Sequence, residues 1–173
     1  MKHIILVGMP GCGKTSVAKK LSTLTGCAYV DLDQFIEKEL GQSIVNIFNT
    51  LGEVFFRQKE SELLKQIIEN NQERIIISTG GGTFINTKNK EICLNKGIVF
   101  WINMSIHLIA QRIKNTNVRP MFQNTDVFLK LKTLFAMREE FYQHAHYEIP
   151  INDFKPPKTV ALIIHNIIVS QGL

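Results

Sequence analysis

Along the chain, short and almost wholly apolar runs alternate with longer stretches in which apolar residues recur every three or four positions. The runs are His3-Ile4-Ile5-Leu6-Val7, Ala28-Tyr29-Val30, Arg74-Ile75-Ile76-Ile77-Ser78, Ile98-Val99-Phe100-Trp101-Ile102 and Glu148-Ile149-Pro150-Ile151. Segments this short and apolar fit buried strands. The last contains a proline, which cannot donate into the middle of a sheet, so it is expected at an edge. Between the runs, helical spacing is carried by Val17, Ala18, Leu21 and Leu24, then by Ile36 to Leu40, with Gly41 as a breaker. Ile44, Ile47 and Phe48 suggest a short helix, and a longer one follows from Leu51 through Leu63, Leu64, Ile67 and Ile68. Ser105 is expected to cap a helix through Leu108, Ile109 and Ile113, a single helix is expected from Asp126 to about Ala145, and Pro156-Pro157 should open a last one. Strands alternating with helices over the whole length imply a doubly wound α/β fold, a parallel sheet with helices on both faces.

Composition narrows this picture. With 173 residues, 20% of them charged, the chain is expected to be one domain, 1–173, with a sizeable core. No window has the length and apolarity of a membrane span, and the N-terminus enters a strand at once, so a cytoplasmic protein without membrane contact is expected. Three cysteines, Cys12, Cys27 and Cys93, form no C-x-x-C and suggest neither a disulfide framework nor a zinc site. The net charge of +5 suits an anionic ligand and would equally suit weak nucleic-acid contact. No basic run interleaved with aromatics supports a nucleic-acid partner.

The strongest chemical signal is Gly8-Met9-Pro10-Gly11-Cys12-Gly13-Lys14-Thr15, a glycine and four residues before Gly-Lys-Thr, set between a predicted strand and a predicted helix. Glycines let backbone N–H groups close on phosphate oxygens at the positive end of the helix that follows. Lys14 can then reach the β- and γ-phosphates, and the Thr15 hydroxyl can ligate Mg²⁺. Gly11, Cys12, Gly13, Lys14, Thr15 and Ser16 are thus the candidate ATP contacts. Cys12, at a helix N-terminus between glycines, is expected to react with alkylating agents.

Asp31 and Asp33 follow the second strand, where ligands bind in open α/β sheets. Helix capping by Asp33, three residues before Ile36, is the competing role; beside a phosphate loop a functional role is favoured. Ser78 and Thr79 stand where many phosphate-loop proteins carry an acid for magnesium, which shifts the second metal contact toward Asp31. Arg57 and Glu60, three apart, share a helix face. They are either a surface ion pair or an arginine fork oriented to take a carboxylate, and spacing alone leaves both open. Gly80-Gly81-Gly82 at a strand's end leaves no side chain between backbone and ligand, which could cradle a small polar molecule. Residues 115–124 are polar and without period, as a lid often is, and Arg119 on a lid could swing onto a transferring phosphoryl group. Trp101 reads as core and His107 as an exposed helix residue.

Taken together, these motifs resemble the shikimate kinase family of small phosphate-loop kinases over nearly the full length. The likeness rests on Gly8 to Thr15, Asp31-Leu32-Asp33, Gly41-Gln42-Ser43-Ile44, Gly52-Glu53 with Phe56-Arg57 and Glu60, Gly80 to Gly82, Arg119-Pro120, and Arg138 with Tyr142. The resemblance implies ATP-dependent phosphorylation of the 3-hydroxyl of shikimate and a P-loop NTPase fold with five parallel strands in the order 2-3-1-4-5. It also implies a monomer, a mobile lid over about 115–124 and a shikimate-binding helical region over about 33–61. By the same likeness Lys14 holds phosphates, Thr15 and, through water, Asp31 position Mg²⁺, and Asp33 contacts the substrate hydroxyls as the candidate base. Arg57 and Arg138 would clamp the substrate carboxylate, Glu60 would orient Arg57, and Gly80 to Gly82 would close the other side of the ring. Arg119 would come from the lid and Arg112 would lie along adenine.

Met121-Phe122 departs from the two leucines usual in the family, and Asn152-Asp153-Phe154-Lys155 fits the adenine-side loop only loosely. Two other readings are a kinase of the same fold acting on gluconate or a nucleoside monophosphate, and a nucleotide-binding regulatory module without catalysis. Lys14, Asp33 and Arg119 together argue against the module, because a pure binder needs no substrate base.

Overall fold

The computed structural model describes residues 2–114 and 126–173. The expected lid over 115–124, with Arg119, lies outside the described residues. The apolar run His3–Val7 forms β1, buried at every position. It is the middle strand of a five-stranded sheet in the order β2-β3-β1-β4-β5. Its neighbours are β3 (Ile76–Ser78) and β4 (Gly97–Met104), both parallel to it, with Ile5 opposite Ile77 on one side and Val99 on the other. β2 (Tyr29–Asp31) lies outside β3, and β5 (Tyr147–Ile151), with its proline, lies at the opposite edge. This is the order that the resemblance implies. Parallel strands joined by helical crossovers put all their carboxyl ends on one side, and the loops that leave those ends build the site.

The helices are α1 (Lys14–Thr25), α2 (Leu32–Leu40), α3 (Ile44–Asn70), α4 (Thr87–Lys96), α5 (Ile106–Lys114), α6 (Val127–Ala136), α7 (Glu139–Tyr142) and α8 (Pro157–Ser170). α1 and α8 pack together, and the apolar residues they bury are the periodic Val17, Ala18 and Leu21 on one and Val160, Ala161, Ile164 and Ile168 on the other. Gly52, at φ 81° and ψ 168°, is non-helical and divides α3 into the short and long helices that the periodicity suggests. Trp101 is core, stacked on Phe135 and Tyr142, and His107 is an exposed helix residue lying against Phe128.

The structure departs from the sequence expectations, or decides between them, in three places. The single helix expected from Asp126 to about Ala145 is broken after Ala136, and Arg138 sits between α6 and α7 at φ −122° and ψ −21°. An unbroken helix would carry Arg138 three residues beyond Phe135 and seven beyond Leu131, placing a guanidinium on the apolar face. The break turns it out toward the glycine loop. Next, the residue that caps α2 is Asp31, whose Oδ1 accepts from the Gln34 N–H at 3.2 Å, while Asp33 lies inside the first turn. Last, α4 has no counterpart in the sequence reading. Its N-terminus is fixed by Asn86, whose side chain accepts from Lys88 and Asn89, and its inward face includes the polar Asn89, which hides the helical period.

Candidate active site

β1 ends at Val7 and the chain turns at once through Gly8, Gly11 and Gly13, with φ values of +141°, +89° and +96°. A side chain at Gly8 would be doubly excluded, since its Cβ would stand 2.7 Å from the Ile102 carbonyl. Gly13 precedes α1, so the free N–H groups of that helix's first turn, which includes Ser16, open onto the loop. Lys14 is buried at 7% exposure, its Nζ donating to the carbonyls of Gly8 at 2.9 Å and Met9 at 3.1 Å. Cys12 is also buried, at 1% exposure, with Sγ 3.8 Å from Lys14 Nζ. That burial works against the ready alkylation expected from its place at a helix terminus. Arg112 on α5 reaches this loop, donating from Nη1 to the Cys12 carbonyl at 3.3 Å, and its guanidinium lies 6.0 Å from the ring of Phe154.

A cluster of hard oxygens borders the loop. Thr15 Oγ1 donates to Asp31 Oδ2 at 2.5 Å, and Ser78 Oγ donates to the same oxygen at 3.0 Å. Asp31 is held from three directions, because its other oxygen caps α2. A hydroxyl beside a fixed carboxylate fits Mg²⁺, which takes one or two protein oxygens and completes its shell with water and phosphate. Among the described residues no three His, Cys, Asp or Glu side chains are grouped as a metal cage. This hydroxyl and carboxylate are the candidate metal oxygens that the described residues offer beside the loop. Ser78 thus stands behind Asp31 where a second acid might have been sought.

The remaining candidates meet around Gly80-Gly81-Gly82, which leaves β3. Each glycine is pressed by a different neighbour. A Cβ at Gly80 would lie 2.8 Å from Asp33 Oδ1 and 3.0 Å from Glu60 Oε1, one at Gly81 would strike the Pro10 ring at 2.6 Å, and one at Gly82 would lie 2.7 Å from Arg57 Nη2. Arg57 Nη1 donates to Glu60 Oε2 at 2.8 Å, with Glu60 only 1% exposed. Glu60 is thus buried while the Arg57 side chain stays 30% exposed, so the pair is not a wholly exposed surface contact. Burial is the largest single influence on Arg57 and acts to lower its pKa; the charges and hydrogen bonds of Glu60 and Glu53 together outweigh it and leave the guanidinium raised. From the other side, Arg138 Nη1 and the Tyr142 hydroxyl both donate to the Gly81 carbonyl, at 3.1 and 2.5 Å. Tyr142 is fully buried, and that burial pushes its phenol above the usual range, so it remains a donor.

The structure therefore brings together Asp33, Arg57, Glu60, the three glycines and Arg138 beside the phosphate loop, with Pro10 touching Gly81 as the point of contact between the two halves. A family model described as shikimate kinase matches residues 10–168. The chain belongs to the shikimate kinase family. It is accordingly an ATP-dependent kinase, and its P-loop fold is that of the family.

Curated shikimate kinases from Rippkaea orientalis and Sulfurihydrogenibium sp. are 36% and 35% identical to it, over 91% and 96% of this chain and 83% and 98% of theirs. A solved shikimate kinase from Acinetobacter baumannii, in complex with shikimate, superposes with a TM-score of 0.92 at 32% identity, covering 100% of this chain and 96% of that one. The Aquifex aeolicus shikimate kinase gives a TM-score of 0.81 at 29% identity, covering 98% of both chains.

Sequence reasoning assigned no role to Pro10, Thr83 or Asn89; the structure places Pro10 against Gly81, Thr83 against Glu60 and Asn89 against Thr83. Pro10 lies inside the recognised phosphate-loop motif and Thr83 directly follows the recognised glycines, and those places were the available signal. Asn89 sits on the undetected α4 and gave none.

Proposed function

We propose that this chain transfers the γ-phosphoryl group of ATP to the 3-hydroxyl of shikimate. The observation that carries the reading is the ring around the glycine loop: one arginine from α3, a second from the break between α6 and α7, one acid from α2, and a backbone stripped of side chains between them. A small ring with a carboxylate at one end and hydroxyls at the other needs this division of cation and acceptor. Arg57, oriented by Glu60, and Arg138 would take the carboxylate as charge-assisted forks. Asp33, next to Gly80, would accept the hydroxyl proton as phosphoryl transfer proceeds, and Gly80 to Gly82 would let the ring approach the backbone.

On the nucleotide side, the amides of Gly11 to Ser16 and the Lys14 ammonium would hold phosphates, and Arg112 with Phe154 would line adenine. Thr15 directly, and Asp31 through water, would hold Mg²⁺, which when bound spreads the developing negative charge of the β- and γ-phosphates. Arg119 remains our candidate for a cation delivered to the transferring group. The same family resemblance supports a monomer working in the cytoplasm on ATP and shikimate, without nucleic acid or membrane as partner. Among the described residues no helix is long and apolar enough to cross a membrane.

The test is a coupled ADP-release assay with shikimate, gluconate and AMP offered in turn at saturating MgATP. Turnover with shikimate well above that with the other two supports the reading. Preference for gluconate or AMP overturns the substrate, and no turnover with any acceptor favours a non-catalytic nucleotide-binding module.

A further inference from the structure

Glu60 is a buried carboxylate with two committed oxygens. Oε2 accepts from Arg57 at 2.8 Å, and Oε1 accepts from Thr83 Oγ1 at 2.7 Å. Thr83 is wholly buried and is held by its own backbone, its N–H donating to the Gly80 carbonyl at 3.3 Å and its carbonyl accepting from Asn89 Nδ2 at 3.2 Å. Asn89 is 2% exposed and rides on α4. A continuous path of hydrogen bonds therefore runs from α4 through Thr83 and Glu60 to Arg57. The other carboxylate near Arg57, Glu53, accepts from Nε and Nη2, both at 3.3 Å, but is 65% exposed, so these longer bonds are a weaker restraint in water than the buried 2.8 Å bond to Glu60. The direction of the guanidinium is thus set chiefly by Glu60, and the rotation of Glu60 by Thr83. A buried carboxylate deprived of one donor has a strong incentive to turn toward another, and any turn carries Oε2 and Arg57 with it.

We propose that Thr83 is a positioning residue for substrate binding, acting through Glu60 to aim Arg57 at the substrate carboxylate. This rests on the reading of Arg57 given above. Thr83 is wholly buried behind Glu60, out of reach of a bound substrate, and the hydroxyl, not the methyl, does the positioning.

The test is steady-state kinetics on Thr83→Val, which keeps shape and loses the donor, and Thr83→Ser, which keeps the donor. Thr83→Val should raise the KM for shikimate by about 5- to 10-fold, with kcat and the KM for ATP within about 2-fold, and Thr83→Ser should restore the wild-type KM. In an Arg57→Ala background Thr83→Val should add little further, since both changes act on one interaction. A wild-type shikimate KM in folded Thr83→Val overturns the proposal, as does an equal loss for both substrates or full additivity with Arg57→Ala. If Thr83→Val does not fold, Thr83→Ala, which makes room for a water beside Oε1, must show the same split in KM. Failure of both to fold while Thr83→Ser folds assigns Thr83 to the fold and overturns the proposal. If Arg57→Ala itself leaves the shikimate KM unchanged, the reading of Arg57 is what fails, and this proposal falls with it. An effect of Arg57→Ala without one of Thr83→Val sinks the Thr83 proposal alone.

Discussion

Lys14 is buried against the carbonyls of Gly8 and Met9, so its ammonium is positioned by the loop that it serves. On the proposed role, Lys14→Ala removes a cation that meets charge developing on the transferred group, and turnover is expected to fall by about 10²-fold or more. The fold should persist, as judged by an unchanged circular dichroism spectrum, because Lys14 faces the loop rather than the apolar core. Wild-type turnover in the folded variant would contradict the phosphate role. Cysteines give a second test at this scale. The thiolate is the reactive form, and burial pushes the Cys93 thiol up to about 12, so it should be inert. Cys12 is likewise sealed, whereas Cys27 is only partly buried. Native protein treated with iodoacetamide should therefore label first at Cys27, as peptide mass spectrometry would show, and labelling of Cys12 as fast as Cys27 would contradict the burial. The motif located Cys12 in the sequence, but its exposure depends on how Gly8 and Lys14 close around it, which spacing does not encode.

Elements were legible where their periodicity was carried by apolar residues alone. β1, β4, α1 and α8 are of this kind. α4 was hidden because it buries Asn89 to serve the loop beside it, and the break before α7 was hidden because Arg138 falls in phase with Leu131 and Phe135. Both failures lie at the candidate site, where polar contacts override the apolar period. One element contact also makes stability depend on pH. The exposed His146, just before β5, accepts at Nδ1 from the Val99 N–H of β4 at 3.0 Å. Partial burial of the ring, and then the nearby Lys2 charge, lower its pKa below the ordinary 6.5. Between the two values the unfolded chain binds more protons than the folded one, so stability rises with pH there. This contribution is complete above 6.5 and is lost as pH falls through the lower folded value. Denaturant titrations at pH 7.5 and 5.0 should show a smaller loss of stability on acidification in His146→Gln, which keeps an acceptor and does not titrate. An identical loss in both proteins would contradict the contact.

In the whole molecule, the parallel sheet delivers the phosphate loop from β1, Asp31 and Asp33 from β2, and the glycine loop from β3 to one edge. The strand order itself followed from the family resemblance, whereas the alternation of elements followed from physics. What neither supplied was the meeting of Pro10 with Gly81, which brings the phosphate loop against the glycine loop. The central claim is that this edge binds a carboxylate with Arg57 and Arg138 and accepts a hydroxyl proton at Asp33. The direct measurement is the initial rate with shikimate varied at saturating MgATP, for the wild type, Arg57→Ala, Arg138→Ala and Asp33→Asn. Each arginine truncation should raise the KM for shikimate by about tenfold or more, since a charge-assisted pair is worth about 1.5 to 3 kcal/mol. Asp33→Asn keeps the shape and loses the proton acceptor, so it should lower kcat by about 10²-fold with a smaller change in KM. A shikimate KM untouched by both arginine truncations, together with a wild-type kcat in Asp33→Asn, would contradict the account.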